Sequence, residues 1–423
     1  MAILVAVVVF AIILLTTRSR RQILGFLVGA SAGLIAAQIF QVHVFTILVI
    51  LWAILSPRES RKLFPLQAVM IIVAAAVLAS TALFGQLVNN ANLGLQLLAF
   101  AISAAILVVT ASARDAQTML YGLLSMTSLA SMFGGLQVVG IAPNDAWHLD
   151  VSALGRPTGF YPEPDWLGMF SGIGLVLAWR LPLKRSLRMT LITVNAAAWV
   201  LAFARAGWVA MIASSLFAFT IFVIVRHRSL PSSHSRKPSG RLAASLLTVV
   251  GGLIAVFSVP QLQDDLMRRL SRTLTVSDGD ISAQARVLQN NGLQYLADTA
   301  PWYGWGLSSS GRVGVSGRLQ YGVSDNNLGS NWLISMWVDG AWLSLPLIAL
   351  LVLAFVLAAP TVQGQLLLLV LLNSFFSNAT FQPITWLLVG LCLAHSRRKS
   401  DNASPPFAQG QSQNVVHYAK ALR

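Results

Sequence analysis

One polar stretch, from about residue 261 to 339, interrupts a chain otherwise built of apolar runs. About 20 apolar residues cross a bilayer as a helix, and fewer suffice inside a bundle. Candidate spans are 2–17, 23–40, 43–56, 66–85, 94–112, 117–136, 166–180, 189–204, 207–225, 242–258, 331–358, 365–379 and 384–395. The pairs within 23–56 and 365–395 contain short members, so each pair can be counted in more than one way. The expected fold class is an all-α polytopic membrane protein, a bundle of about 12 to 13 transmembrane helices with one large helical outer loop. The first run, Ala2 to Thr17, lacks a preceding basic residue and a small-residue cleavage pattern, so it is expected to be retained as a span.

Charge supports this class. Only 10% of the 423 residues are charged, whereas water-soluble domains carry about a quarter. The net charge of +15 resembles a nucleic-acid footprint until the charges are placed. Short connections and the tail hold the clusters at 18–21, 58–62, 180–188, 226–241 and 397–399, and with Arg114, Lys420 and Arg423 they total 21 basic residues against 3 acids. The remaining connections hold 8 basic residues and 11 acids. The excess lies on one face, which the positive-inside rule names cytoplasmic. Charge here reports topology, and no nucleic-acid partner is expected. Cys392 is the only cysteine, and the six histidines are scattered, so neither an internal disulfide nor a metal site is expected.

This topology divides the chain into five parts. Residues 1–119 are N-terminal transmembrane helices. Residues 120–258 are central helices with an outer loop at 138–165. Residues 259–330 form the large extracytoplasmic loop, 331–395 the C-terminal helices, and 396–423 a cytoplasmic tail expected to be disordered. The large loop opens with an amphipathic segment, Gln263 to Leu270, carrying Arg268 and Arg269, and Arg272 follows it. A helix is expected from Ile281 to Ala297, capped by Ser282, with Arg286 one turn in and Val287, Leu288, Leu293 and Leu296 facing the bundle.

Three arginines stand out as candidate binding groups. Arg205 is the only charged residue between Met189 and Val225, at the outer turn between two spans. A charge facing lipid there costs a few kcal/mol, so a polar cavity is the better home, with snorkelling to headgroups as the alternative. Arg156 lies in Gly155-Arg156-Pro157-Thr158-Gly159-Phe160-Tyr161-Pro162-Glu163-Pro164-Asp165, whose prolines and glycines fix an irregular surface backbone. It either binds an anion, pairs with Glu163 or Asp165, or does both. Arg286 completes the set, and a guanidinium fork suits phosphate oxygens better than an ammonium does. Trp302, Tyr303 and Trp305 are placed either to stack on sugar rings or to anchor at the interface.

The order of these pieces resembles the O-antigen ligase and O-antigen polymerase superfamily of bacterial surface-polysaccharide assembly. The resembling stretches are Arg156-Pro157-Thr158-Gly159-Phe160-Tyr161 before Pro164-Asp165, then Ala204-Arg205-Ala206-Gly207-Trp208. They continue with Ser282 and Arg286 upstream of Pro301, Gly304 and Gly306, then Ser324-Asp325-Asn326, Asn331-Trp332-Leu333 and Asp339-Gly340. The likeness covers roughly 120–395 and implies a metal-independent, cofactor-free glycosyltransferase of the bacterial inner membrane. Such an enzyme moves a glycan from undecaprenyl pyrophosphate, on the outer face, to a glycan or lipid acceptor. It implies substrate-binding roles for Arg156, Arg205 and Arg286. A leaving pyrophosphate gains charge as the sugar–phosphate bond breaks, so fixed guanidiniums stabilise the transition state more than the ground state.

One departure from that group matters. Its ligases carry His-Asn at the end of the large loop, where this chain reads Ser330-Asn331 or Asp325-Asn326. Serine cannot act as a base in place of imidazole at neutral pH, which leaves Asp325 as the candidate base or as a turn residue. Asn331 is expected to orient substrate or to cap the next helix. Trp305 joins Arg156, Arg205, Arg286 and Asn331 as a candidate binding residue, and Arg286 and Asp325 are the candidate catalytic pair. The rival readings are a transporter or flippase for an anionic or lipid-linked substrate, and a non-catalytic assembly scaffold. Against a transporter stands the long outer loop, since transporters usually bind at the midplane on broken helices.

Overall fold

The computed structural model describes residues 20–39, 41–55, 65–143, 156–228, 281–322, 324 and 326–403. The expected spans 2–17 and 242–258, the cluster Arg268, Arg269 and Arg272, and Asp325 lie outside them. The described chain is mostly helical, and four of its helical stretches are long and apolar enough to cross a membrane: Leu66–Phe84, Asn92–Thr110, Ala113–Val138 and Trp332–Ala358. Shorter apolar helices accompany them at Val44–Ile54, Arg205–Ile221 and Val362–Asn373.

In chain order the helices are α1 (Arg20–Ala32), α2 (Val44–Ile54), α3 (Leu66–Phe84), α4 (Asn92–Thr110), α5 (Ala113–Val138), α6 (Pro164–Arg180) and α7 (Arg185–Leu201). They continue with α8 (Arg205–Arg228), α9 (Ile281–Asp298), α10 (Trp332–Gly340), α11 (Leu345–Ala358), α12 (Val362–Asn373) and α13 (Pro383–Ala403). Three of these depart from the expected spans. The run 23–40 ends as helix at Ala32, and a two-residue antiparallel ribbon, β1 (Gln38–Ile39) with β2 (Val42–His43), turns the chain into α2. At 1.5 Å per residue α1 and α2 supply roughly 20 and 16 Å of helix, each less than the hydrocarbon thickness of about 30 Å. The run 331–358 is broken after Gly340 by a 3-10 turn, where Ala341 takes φ of 41° and Pro346 opens α11. The third departure is α13, which continues to Ala403 and so carries eight residues of the stretch expected to be disordered.

The reason for that extension is visible at the basic end of the bundle. Arg397 donates to the carbonyls of Val108 and Val109, and Arg398 to that of Ala111, so two arginines cap the last turn of α4. Arg21 reaches the same turn through Thr110 and pairs with Asp115 at 2.5 Å. Ser112 and Asp115 form a capping box that starts α5. Basic groups distant in sequence thus gather at one end, as their placement in the sequence predicts. The opposite end of α4, roughly 28 Å away by helical rise, carries the turn 85–91, onto which Ser324 and Arg312 are bonded.

Midway between the ends, a buried polar cluster joins three helices. The Ser131 hydroxyl (α5) lies 2.8 Å from that of Ser171 (α6) and donates to Asn195 Oδ1 (α7), while Asn195 Nδ2 donates to Ser128 at 2.8 Å. Interhelical bonds of this kind in membranes contribute about 0.6 kcal/mol each on average. Asn195→Ala removes two of them, leaving the Ser128 hydroxyl without this partner while Ser131 keeps Ser171. The expected loss is about 1–2 kcal/mol in an SDS-unfolding titration. An unchanged midpoint would show that the cluster does not hold these helices together.

Candidate functional site

The loop ahead of α6 is pinned from below. Gln137, in the last turn of α5, accepts hydrogen bonds from the amides of Thr158 and Gly159, both at 2.9 Å, and donates to the Thr158 hydroxyl and the Pro143 carbonyl. Tyr161 is fully buried and stacks on Phe170 with ring centroids 4.5 Å apart. This anchoring carries Arg156 to the end of the helices opposite the basic one, termed the mouth only for its place, where Pro164 opens the first turn of α6.

Arg156 meets three acceptors there. Its Nε donates to the Ala202 carbonyl at 2.8 Å, and Nη2 donates to Asp165 Oδ1 at 2.7 Å and to the Phe203 carbonyl at 3.3 Å. Ala202 and Phe203 form the turn between α7 and α8, and Arg205 is the first residue of α8. That turn is rigid. Phe203 is held at φ 49°, and the Trp208 indole N–H reaches back to the Trp199 carbonyl at 2.9 Å. The turn and α8 also pack closely against α6: a Cβ on Gly168 would lie 2.3 Å from that of Ala204, and one on Gly207 3.1 Å from the carbonyl carbon of Gly168.

Arg286 arrives from the other side. Its Nη2 donates to Asp165 Oδ2, across 121 residues of sequence. One carboxylate therefore bridges two guanidiniums, each on its own oxygen. The side chains of Arg156 and Asp165 are 17% and 12% exposed and that of Arg286 is 37%, so the outer member is the wettest. Burial pushes the Asp165 carboxyl up, but the Arg286 and Arg156 guanidiniums outweigh it and hold it below the usual carboxylate range. Asp165 precedes the apolar run that begins at Trp166, and its ionised form prevails at neutral pH. A depressed carboxyl of this kind keeps its pairing above the ordinary value and loses it only as pH falls through the lowered one.

Helix α9 forms where the sequence predicts, but its packing is different. Leu293 and Leu296 are buried with Val313 and Val338, while Val287 and Leu288 are exposed. The half of α9 that holds Arg286 thus stands over the mouth, and the other half docks on the segment 299–331. From Arg286 to Leu293 is roughly 10 Å of helix. Leu293 lies against Gly329, two residues from Asn331.

Segment 299–331 is clasped to the turn 85–91. Asn89 Nδ2 donates to the carbonyls of Ser324 and Asn326, and its Oδ1 accepts from the Ser324 amide at 2.7 Å. Arg312 donates to the carbonyls of Leu87, Val88 and Gly322. Asp339, fully buried, accepts from the Ser309 hydroxyl and the Ser310 amide. Ser308, Ser309 and Ser310 are all buried, so this polar segment is a packed structure.

The structure separates the expected site residues into two groups. Arg156 and Arg286 meet at Asp165, beside the turn from which Arg205 starts. Trp305 and Asn331 have structural work. The Trp305 indole N–H bonds the Leu296 carbonyl at 2.9 Å, and its backbone amide bonds Val338, so it fastens α9 to the loop. The aromatic ring presented at the surface is Trp302, 65% exposed. Asn331 caps α10, its side-chain oxygen accepting from Leu333 and Ile334. Sequence reasoning left Asp165 out of the binding set, although its position one residue before an apolar run was a signal. Among the described residues no group of three or more His, Cys, Asp or Glu gathers as a metal-binding set. No protein-family model matches the chain, and no curated protein matches it in sequence.

Proposed function

We propose that this protein is a membrane glycosyltransferase of the O-antigen ligase or polymerase type. In this reading it transfers a glycan from undecaprenyl pyrophosphate to a glycan or lipid acceptor at the outer face of the bacterial inner membrane. The observation that carries the reading is the meeting of Arg156 and Arg286 on one carboxylate, beside the turn that begins α8 at Arg205. Guanidiniums fixed at the mouth of an apolar bundle match the negative charge that builds on a leaving diphosphate. The lipid tail of such a donor belongs in the bilayer beside the bundle, with its diphosphate at the depth of this mouth.

The acceptor hydroxyl must lose a proton, and Asp325 is the group proposed to take it. Its neighbours Ser324 and Asn326 are held by Asn89, in the segment that α9 links to the arginines. The reaction needs no metal in this proposal, because the arginines supply the charge that a cation would otherwise provide.

The test uses purified full-length protein in detergent, supplied with an undecaprenyl-pyrophosphate-linked glycan and an acceptor, with and without chelator. The expected result is a new glycosidic product and free undecaprenyl pyrophosphate in equal amounts, unaffected by chelator. A transporter or flippase forms no bond, so binding without release would remove the enzyme reading.

A further inference from the structure

We propose that Asp165 is a positioning residue that makes Arg156 and Arg286 a single receptor for a diphosphate. The inference rests on the functional reading above and deepens it by assigning a role to a carboxylate that electrostatics alone would exclude from an anion site. A negative charge beside bound phosphate opposes binding. Yet this carboxylate sits between the two arginines, giving one oxygen to each.

The two arginines differ in what else holds them. Arg156 has two backbone carbonyls besides Asp165, both on the rigid turn between α7 and α8. Arg286 makes one hydrogen bond among the described residues, to Asp165, and its side chain is the most exposed of the three. Two guanidiniums brought together repel each other. Glu163 attracts both as well, but Asp165 is the carboxylate bonded to both, and without that bridge the more exposed arginine moves into solvent. The carboxylate prevents this. It also leaves most of the donors of Arg286 unused, since a guanidinium has five N–H groups.

The sign of one substitution separates positioning from simple charge. Asp165→Asn keeps the size of the side chain and removes its negative charge. If Asp165 is only a neighbouring charge, the variant binds an anion more tightly. If it positions Arg286, the variant binds more weakly, despite having lost a repelling group. The probe is inorganic pyrophosphate, titrated calorimetrically into purified full-length protein at fixed salt.

Asp165→Asn is expected to weaken binding about tenfold, the loss of one charge-assisted hydrogen bond. Asp165→Glu keeps the charge but displaces both oxygens by one methylene, and it is expected to weaken binding by a smaller factor. In an Arg286→Gln background Asp165→Asn should cause no further loss. Equal or tighter binding by Asp165→Asn overturns the proposal. Should that variant not fold, wild-type affinity in Asp165→Glu overturns it instead. Failure of the wild-type protein to bind pyrophosphate at all sinks both this inference and the functional reading. Binding by wild type with the wrong sign in Asp165→Asn removes only the positioning role.

Discussion

Arg156→Lys should lower the proposed glycan transfer by about a hundredfold or more while the protein still folds, the order seen when one fixed oxyanion donor is lost elsewhere. The reason is geometric. Arg156 uses Nε and Nη2 together, reaching two carbonyls of one turn and a carboxylate on another helix. Lysine offers a single ammonium on a flexible stem, which can keep the charge near Asp165 but cannot span all three acceptors. Arg156→Ala is less informative. It strands the Asp165 carboxylate with one partner, and breaking a buried pair costs about 3–5 kcal/mol. Loss of activity in alanine would then mix folding with chemistry. The measurement is release of undecaprenyl pyrophosphate by lysine-substituted protein whose melting temperature stays near the wild-type value. Full activity in that protein would remove Arg156 from the site, and the same assay on Arg205→Lys examines the third arginine.

Much of the helical frame was readable because its signal is local. Apolar runs set the helices, and the basic clusters predicted which ends would meet, as Arg21, Arg397 and Arg398 do around the last turn of α4. The breaks were less readable. Asp339-Gly340 sits inside an apolar run, and a run of that length reads as one span until Asp339 is seen bonded to Ser309 and Ser310. The ribbon after α1 was hidden in the same way, because residues 33–43 remain apolar enough to pass for helix.

Site residues divide along the same line. Arg205 was conspicuous because no other charge lies near it in sequence. Asp165 was not, since its second partner lies 121 residues away and nothing in either stretch announces the other. Trp305 shows the same limit from the other side. An indole beside glycines at a membrane surface looks available, and only the fold shows its N–H committed to Leu296. Local patterns report caps, turns and spans. Which polar groups remain open to a ligand depends on pairings made across the whole chain.

Gly304→Val should release the segment 299–331 from the bundle. Gly304 sits at φ 78°, which a β-branched residue does not adopt without strain, and a Cβ there would lie 2.5 Å from the backbone nitrogen of Gly340. The atoms this Cβ meets are all backbone, so no side chain can turn aside to relieve the clash. Strain and clash together are expected to cost roughly 2–4 kcal/mol. The hydrogen bonds at risk run from the amides of Trp305 and Gly306 to the carbonyls of Val338 and Asp339, which join the loop to α10. Losing them unseats the Trp305 indole from α9, and α9 carries Arg286. The substitution therefore lies far from the arginines in sequence but acts on them through one helix. Hydrogen exchange reads the first step, with faster exchange at Trp305, Gly306 and Leu307. Pyrophosphate titration reads the second, with weaker binding than wild type. Wild-type protection at those amides would show that the loop does not depend on this contact. Lost protection with unchanged pyrophosphate affinity would show that Arg286 is held over the mouth by something other than the packing of α9 on the loop.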